Sequence, residues 1–367
     1  MKSCENQLGN IDNLIESTDN VNIEILTMIA NQQKQVVLAM LGQNPELVIA
    51  GMLAASIEIY AQQIEKIYGW TQGGVEMFRF CLMLMFEELK KDGISAIELE
   101  DLFQLALLEI MVNADEYGLG GWYDKNKGHI SHILESTGSG SHSLHEKGYS
   151  SAAEMAKWVS QLYDSLKKEG NIPPESFLGQ IIAELDKMGG SKALSDQIIN
   201  GWNDDYGWWI QPADNAGDPM INRATNLSPM LRLFILSSLL NEKSMTKEQV
   251  EIILTGSLDE MDKFIGAEFE VVKVEYESAT LSWLVVNTNW KMDASKAHGG
   301  YHLDWRGNGI SLTDLDNLYK EFPGRELSED ELEEINRIGD QVKMLQQTLK
   351  YWTQLCADEQ LAMARNI

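Results

Sequence analysis

The C-terminal segment 328–367 constrains the fold most strongly, because it has the sequence pattern of one long helix. Ser328 and Glu331 form a capping-box signature at its start, where the hydroxyl and the carboxylate each pair with a backbone N–H. Beyond the cap, apolar side chains recur at alternating steps of three and four residues, at Ile335, Ile338, Val342, Leu345, Leu349, Trp352 and Cys356. The residues from Ile335 to Trp352 in this list are the C-terminal seam. Such a seam requires a partner helix, either in a coiled coil or in the core of an ordinary helical bundle.

Two other segments show the same three-four spacing. In the segment 258–290 the positions are Leu258, Met261, Ile265, Phe269, Val272, Tyr276, Ala279, Trp283, Val286 and Trp290. Residues 268–274 also allow a strand, but the spacing continues beyond them and favours a helix. In the segment 47–68 the positions are Leu47, Ala50, Ala54, Ile57, Ala61, Ile64 and Tyr68. The sequence therefore predicts a mainly α fold: an elongated helical bundle with a long antiparallel coiled-coil hairpin and a small α/β insert.

Composition and turn residues divide the chain into regions. Residues 1–20 are polar and are predicted to be a disordered leader or an export signal. Residues 21–115 are predicted to form an N-terminal helical bundle, 116–150 a loop or linker, and 151–257 a mainly helical middle region. Residues 258–367 are predicted to form the coiled-coil hairpin, with the α/β insert at 291–327. Within the insert, Tyr301, Leu303 and Trp305 alternate with polar residues before a turn at 306–309, which predicts a β-hairpin.

The charge balance and the cysteine count exclude several classes of protein. The chain has 29 Lys and Arg against 56 Asp and Glu, a formal net charge of −27. We therefore expect no nucleic-acid partner, because phosphate binding needs clustered cations. No apolar run reaches the roughly 18 residues of a membrane span, and residues 1–20 lack the apolar core of a Sec-type signal peptide. Cys4, Cys81 and Cys356 form neither a disulfide framework nor a zinc spacing, so we expect free thiols.

Short motifs give no catalytic constellation, and we expect no enzymatic activity, no cofactor and no metal. His129, His132, His142 and His145 fall in the predicted loop as two His-x-x-His pairs, which could bind zinc or nickel. No cysteine or acidic ligand stands at a suitable spacing beside them. Scattered loop histidines are therefore the favoured interpretation.

The segment 203–209 is the most suggestive polar cluster, with Asp204, Asp205, Tyr206, Trp208 and Trp209. Paired carboxylates beside aromatic faces are suited to a sugar site. Trp and Tyr are also enriched at protein interfaces, and the same rings could close the end of a helical bundle. The sequence leaves glycan binding, an interface and simple burial open here.

The part of the chain from Phe264 to the C-terminus resembles the needle-tip family of type III secretion, the hydrophilic translocators of Gram-negative pathogens. The resemblance rests on the predicted helix from Phe264 to Trp290, the segment Gly299-Gly300-Tyr301, the helical run 312–318 and the C-terminal helix with its ending 345–367. It implies that a helical hairpin acts as a stalk and that the C-terminal helix docks on the needle. It also implies that the hairpin 22–68 shields this surface before export. The chain departs from the family in its extra residues between Val75 and Leu254.

These observations favour a secreted, non-enzymatic structural component of a type III apparatus that acts by self-assembly. The expected partners are needle subunits, translocator proteins and further copies of the chain, with possible host-surface contact. A carbohydrate-binding or carbohydrate-active protein using the Asp204–Trp209 cluster is one alternative. A cytosolic secretion chaperone or gatekeeper is another, and it shares the acidic, helical character of the first interpretation.

Overall fold

The computed structural model describes residues 30–31, 33–34, 47–94, 96–142, 148–203, 209–210, 221–222, 224–272, 278–293 and 302–365. In these ranges the chain is mainly helical, which confirms the predicted mainly α class with a small α/β insert. In chain order the elements are α1 Leu47–Gln72, α2 Gly74–Asp92, α3 Glu98–Asn113, α4 Gly120–Ser136, α5 Ala152–Glu169, α6 Phe177–Met188, α7 Gly190–Asn203, β1 Trp209–Ile210, β2 Ile221–Asn222, α8 Pro229–Glu242, α9 Lys247–Thr255, α10 Leu258–Glu268, α11 Ala279–Asn287, β3 Trp290–Asp293, β4 His302–Trp305, α12 Leu312–Lys320 and α13 Glu329–Arg365.

The chain divides into two compact units. Unit 1 contains residues 1–72 and 326–367, and unit 2 contains residues 73–325. Unit 1 is therefore assembled from both ends of the sequence, with α1 and α13 as its described helices. Unit 2 is formed by one continuous stretch of chain.

In unit 1, α1 packs against α13. The capping box predicted for α13 is present, with Glu331 N–H donating to Ser328 Oγ (3.3 Å) and Ser328 N–H donating to Glu331 Oε2 (3.0 Å). Residues 33 and 34 join the pair, because Gln33 Nε2 donates to the Val342 carbonyl (3.2 Å) and Lys34 forms an ion pair with Glu58. Among the described residues, the buried apolar side chains of this small core are Ala30, Ile57, Ala61, Ile64, Ile67, Ile335, Ile338 and Val342.

The direction of the pairing follows from the residues next to the two helices. Gly74, just after α1, donates its N–H to the carbonyl of Phe322, shortly before α13 (2.6 Å). The end of α1 and the start of α13 are therefore adjacent, and the helices run antiparallel. Gly73 has φ +83°, and a Cβ there would lie 2.1 Å from the Phe322 carbonyl oxygen, so this position requires glycine.

The prediction of one continuous helix over 258–290 is wrong. Helix α10 ends at Glu268 and α11 begins at Ala279. The second helix has its own start, because Ser278 Oγ accepts from Leu281 N–H and donates to Asp262 on α10 (2.7 Å). These two short helices pack on each other in unit 2, and the described helix that pairs with α13 in unit 1 is α1. The continuous helix over 258–290 that the predicted coiled-coil hairpin with 328–367 requires is therefore interrupted.

The predicted loop or linker at 116–150 is also wrong, since residues 120–136 form α4. Its buried apolar side chains, Trp122, Ile130, Ile133 and Leu134, lie on one face at helical spacing. The glycines Gly120, Gly121 and Gly128 and the polar residues between them hide this pattern in the sequence. Tertiary burial overrides their weak helix propensity.

Helix α3 is the centre of unit 2, with α2, α4, α6, α7 and α8 packed around it. All side chains from Leu99 to Met111 are buried, including those of Glu100, Asp101, Gln104 and Glu109. A helix that is covered on every side has no face left for solvent-exposed polar residues. The polar residues of α3 therefore lie in the interior of the unit.

The prediction of a β-hairpin at 301–312 is wrong about which strand pairs with residues 302–305. Strand β4 pairs antiparallel with the preceding strand β3, with Trp290 opposite Trp305 and Asp293 opposite His302. All four residues of β4 are buried, so the strand does not have the alternation of an exposed hairpin. The turn residues at 306–309 instead lead into α12.

Candidate functional site

The C-terminal seam is buried at its first three positions. Ile335, Ile338 and Val342 are at most 2% exposed, whereas Leu345 and Trp352 are half-buried. The side chain of Leu349 lies outside the described part of the structure. The first half of the seam is thus the helix–helix core of unit 1.

Helix α13 also exposes large apolar side chains. Met344 and Tyr351 are each 63% exposed, and Leu332 is 47% exposed. Met344 and Tyr351 are seven residues apart and therefore lie on the same side of the helix. Exposed apolar groups that share one face are candidates for contact with another protein.

The Asp204–Trp209 cluster falls largely outside the described residues. Asp204, Asp205, Tyr206 and Trp208 are all in this category. The backbone of Trp209 begins β1 and pairs with Asn222, but nothing is described of its side chain. The glycan and interface interpretations of this cluster remain predictions.

Two of the four candidate histidines lie on α4, where they stack on aromatic rings. His129 stacks on Trp158 with ring centroids 3.7 Å apart, and His132 stacks on Tyr149 at 4.0 Å. Burial, with a smaller contribution from the charge of His132, lowers the pKa of His129. Among the described residues, no group of three or more His, Cys, Asp or Glu side chains is arranged to hold a metal ion.

His142 belongs to a buried polar network that the sequence analysis did not identify. Its Nε2 lies 2.9 Å from Glu100 Oε2, and both side chains are at most 1% exposed. His145, the fourth candidate, lies outside the described residues. The network consists of the segment 136–142, which follows α4, and the polar side chains of α3 that surround it.

Two adjacent carboxylates of α3 anchor this segment. Glu100 Oε2 accepts from Gly138 N–H (2.9 Å), and Asp101 accepts from both Ser139 N–H (2.9 Å) and Ser139 Oγ (2.6 Å). Burial raises the pKa of Asp101 to about 7, although the two Ser139 hydrogen bonds act in the opposite direction. The Ser139 hydroxyl donates its proton to Asp101, so this hydrogen bond fixes the position of the loop on α3.

Gln104 and Ser228 connect the same loop to α8. Gln104 Nε2 donates to the carbonyl of Thr137 (2.7 Å), and its Oε1 accepts from Met230 N–H (3.1 Å). Ser228 N–H donates to the Ser139 carbonyl (2.7 Å), while its side chain caps α8. The network therefore joins the end of α4 and the start of α8 to the central helix.

Arg232 of α8 is buried beside this network, at 3% exposure. Its guanidinium donates to the carbonyls of Leu227 (2.8 Å), Ile253 (2.5 Å) and Gly256 (2.7 Å), and to the side chain of Asn226. Burial lowers its pKa to about 10, which leaves it cationic at neutral pH. Arg232 and Asp101 line an open cleft of about 70 Å³, together with Glu88, Glu98 and Asn226.

A scan against protein-family models gave no match, and searches of curated proteins and of solved structures gave none either. None of the helices in the described ranges is long and apolar enough to cross a membrane. The functional interpretation therefore rests on the residues of the chain itself.

Proposed function

We propose that this protein is a secreted, non-enzymatic structural component of a type III secretion apparatus, similar to a needle-tip protein or hydrophilic translocator. It acts by self-assembly and by contacts with needle subunits, translocator proteins and the host surface. The observation that carries the proposal is α13, a helix of 37 residues with a buried seam near its start and exposed apolar side chains further along. A long helix with both kinds of surface can stabilise its own unit and still present a face to another protein.

Export is the first property to test. The producing bacterium is grown under secretion-inducing conditions with and without a working type III export ATPase, and the full-length chain is measured in the supernatant. We expect release that depends on the ATPase. Retention in the cytosol of both strains would contradict secretion and favour the chaperone or gatekeeper alternative.

The second test separates the seam from the rest of α13. Replacing Leu345 and Leu349 with Asp introduces charge into the seam, so we expect loss of folding of unit 1 or loss of assembly. Gln347→Asp is the matched control, because Gln347 is exposed on the same helix. Unchanged folding and assembly in the double variant would rule out a role for this seam in either process.

A further inference from the structure

The exposed side of α13 has a repeating charge pattern that is complementary to itself. Five residues spaced seven apart lie along this side of the helix. We call them the outer stripe: Asp330, Arg337, Met344, Tyr351 and Asp358. All five side chains are exposed. Arg365 occupies the next position in the sequence.

The outer stripe points away from the buried seam. Arg337, Met344 and Tyr351 each follow one seam position by two residues and precede the next by one, which places them about 130° around the helix axis from the middle of the seam. It is therefore separate from the core that α13 forms with α1. A seven-residue spacing drifts by only about 20° per repeat on a straight helix, and a slight left-handed supercoil removes the drift.

The order of the residues favours one orientation of a second copy. If two α13 helices lie antiparallel with the centre between Gln347 and Thr348, Met344 of each copy faces Tyr351 of the other. The same register places Arg337 opposite Asp358, and Asp330 opposite the position of Arg365. In a parallel pairing each residue would face its own copy, so Arg would meet Arg and Asp would meet Asp.

From this complementarity we propose that the outer stripe binds a second copy of the chain as an antiparallel, two-fold symmetric helix pair. The interface is isologous, so each contact occurs twice. The proposal deepens the self-assembly in the proposed function and rests on that part of it. Burial of Met344 and Tyr351 supplies most of the attraction, and the exposed charges fix the direction and register.

The existing contacts of Arg337 are compatible with this role. Its guanidinium donates to Glu334 one turn earlier, at 2.6 Å and 2.5 Å, and the Arg337 side chain is 55% exposed. This pairing raises the pKa of Arg337 and holds its charge at the helix surface. A guanidinium has five N–H donors, so Arg337 retains donors for a second carboxylate.

The contact is small, so we expect a weak and reversible association. The segment 337–358 is about 30 Å long, and two helices touching over this length bury an area at the low end of specific interfaces. We expect a dissociation constant of about 1–100 µM. Sedimentation of the purified full-length chain over a concentration series should therefore show a monomer–dimer equilibrium in this range.

Charge reversal tests the orientation of the two helices. Arg337→Asp and Asp358→Arg, made separately, each create two like-charge pairs in the antiparallel dimer and should weaken it by about tenfold. The double variant restores opposite charges and should recover the wild-type dissociation constant. Lys343→Asp is the control for the same change of charge off the stripe, and it should have little effect. Failure of the double variant to recover would overturn the antiparallel register.

Cross-linking provides an independent test of the same register in a background without Cys4 and Cys356. Chains with Met344→Cys and chains with Tyr351→Cys should form a disulfide when mixed, whereas neither variant should cross-link to itself. Self-cross-linking at position 344 would indicate a parallel dimer and overturn the proposal. A chain that stays monomeric at about 100 µM would also overturn it. These tests use purified protein and are therefore independent of the export experiment. If the chain is exported but forms no dimer, only this inference is refuted. If it forms the dimer but is not exported, only the proposal of secretion is refuted.

Discussion

Helices α13 and α3 differ in how much of their surface is buried and in which side chains are buried. In unit 1, α13 buries the first half of its apolar seam against α1, whereas Leu332, Met344 and Tyr351 on the same helix are exposed. In unit 2, α3 is covered on all sides and buries Glu100, Asp101, Gln104 and Glu109 together with its apolar residues. The comparison shows that a partly covered helix is stabilised by burying a periodic apolar face. A central helix also needs a hydrogen-bond partner for each of its buried polar groups.

The largest expected effect comes from the polar interior of unit 2. Arg232→Met keeps most of the side-chain volume but removes the donors to the buried carbonyls of Leu227 and Ile253, to the part-buried carbonyl of Gly256 and to the side chain of Asn226. Each unsatisfied acceptor is costly, so we expect a loss of about 3–5 kcal/mol in the free energy of unfolding. Urea unfolding followed by circular dichroism measures it, with the exposed Arg306→Met as control. A loss as small as that of the control would show that solvent replaces these hydrogen bonds.

The seam of unit 1 should give the next largest effect. Ile338 is completely buried, so Ile338→Ala removes apolar packing and leaves a cavity that costs about 2–4 kcal/mol. Ile59 on α1 is 55% exposed, and Ile59→Ala should change stability by less than about 0.5 kcal/mol. Hydrogen exchange of α1 and α13 reports on unit 1 directly. Equal effects of the two variants would contradict the assignment of Ile338 to the core.

A smaller and pH-dependent effect is expected for Asp101. Its pKa rises from about 4 in the unfolded chain to about 7 in the folded protein, so the folded state binds this proton more tightly. The resulting stabilisation is complete below pH 4 and is lost as the pH rises through 7. Asp101→Asn should flatten the pH dependence of the unfolding free energy between about pH 4 and 7 relative to the wild type.

The measurement is a set of denaturant titrations of both proteins across that pH range. Glu98→Gln, at the rim of the same cleft, is the control for removing one nearby carboxylate. If the wild type and Asp101→Asn show parallel curves, Asp101 titrates near its ordinary pKa and the interior of unit 2 is better solvated than its burial indicates.

The sequence predicts α13 well because its determinants are local. Ser328, Glu331 and the seam repeat lie within one segment, and capping and periodicity depend only on near neighbours. The same periodicity is misleading at 258–290, because Ser278 caps a new helix there and is held by a hydrogen bond to Asp262 on α10, which is distant in sequence. The sequence does not predict helix α4, because its glycines and polar residues have weak helix propensity and its buried face becomes visible only in the packed structure.

The buried polar network could not be predicted from local patterns. Glu100 and Gly138 are 38 residues apart in sequence, and their pairing depends on how α3 and α4 pack. In the sequence, Glu100 and Asp101 resemble ordinary acidic residues in the first turn of a helix, where the helix dipole favours them. The only available signal was the run of small and polar residues at 136–142, which resembles a surface turn.

The assembly of unit 1 from both chain ends has a consequence for biosynthesis. Unit 2 is complete once residue 325 has left the ribosome, whereas α1 must wait for α13, which begins at Glu329. At translation rates of about 5–20 residues per second, the apolar face of α1 lacks this partner for about 13–50 s. During that interval α1 is open to a chaperone or to premature association, so the order of synthesis makes unit 1 the last part of the chain able to fold.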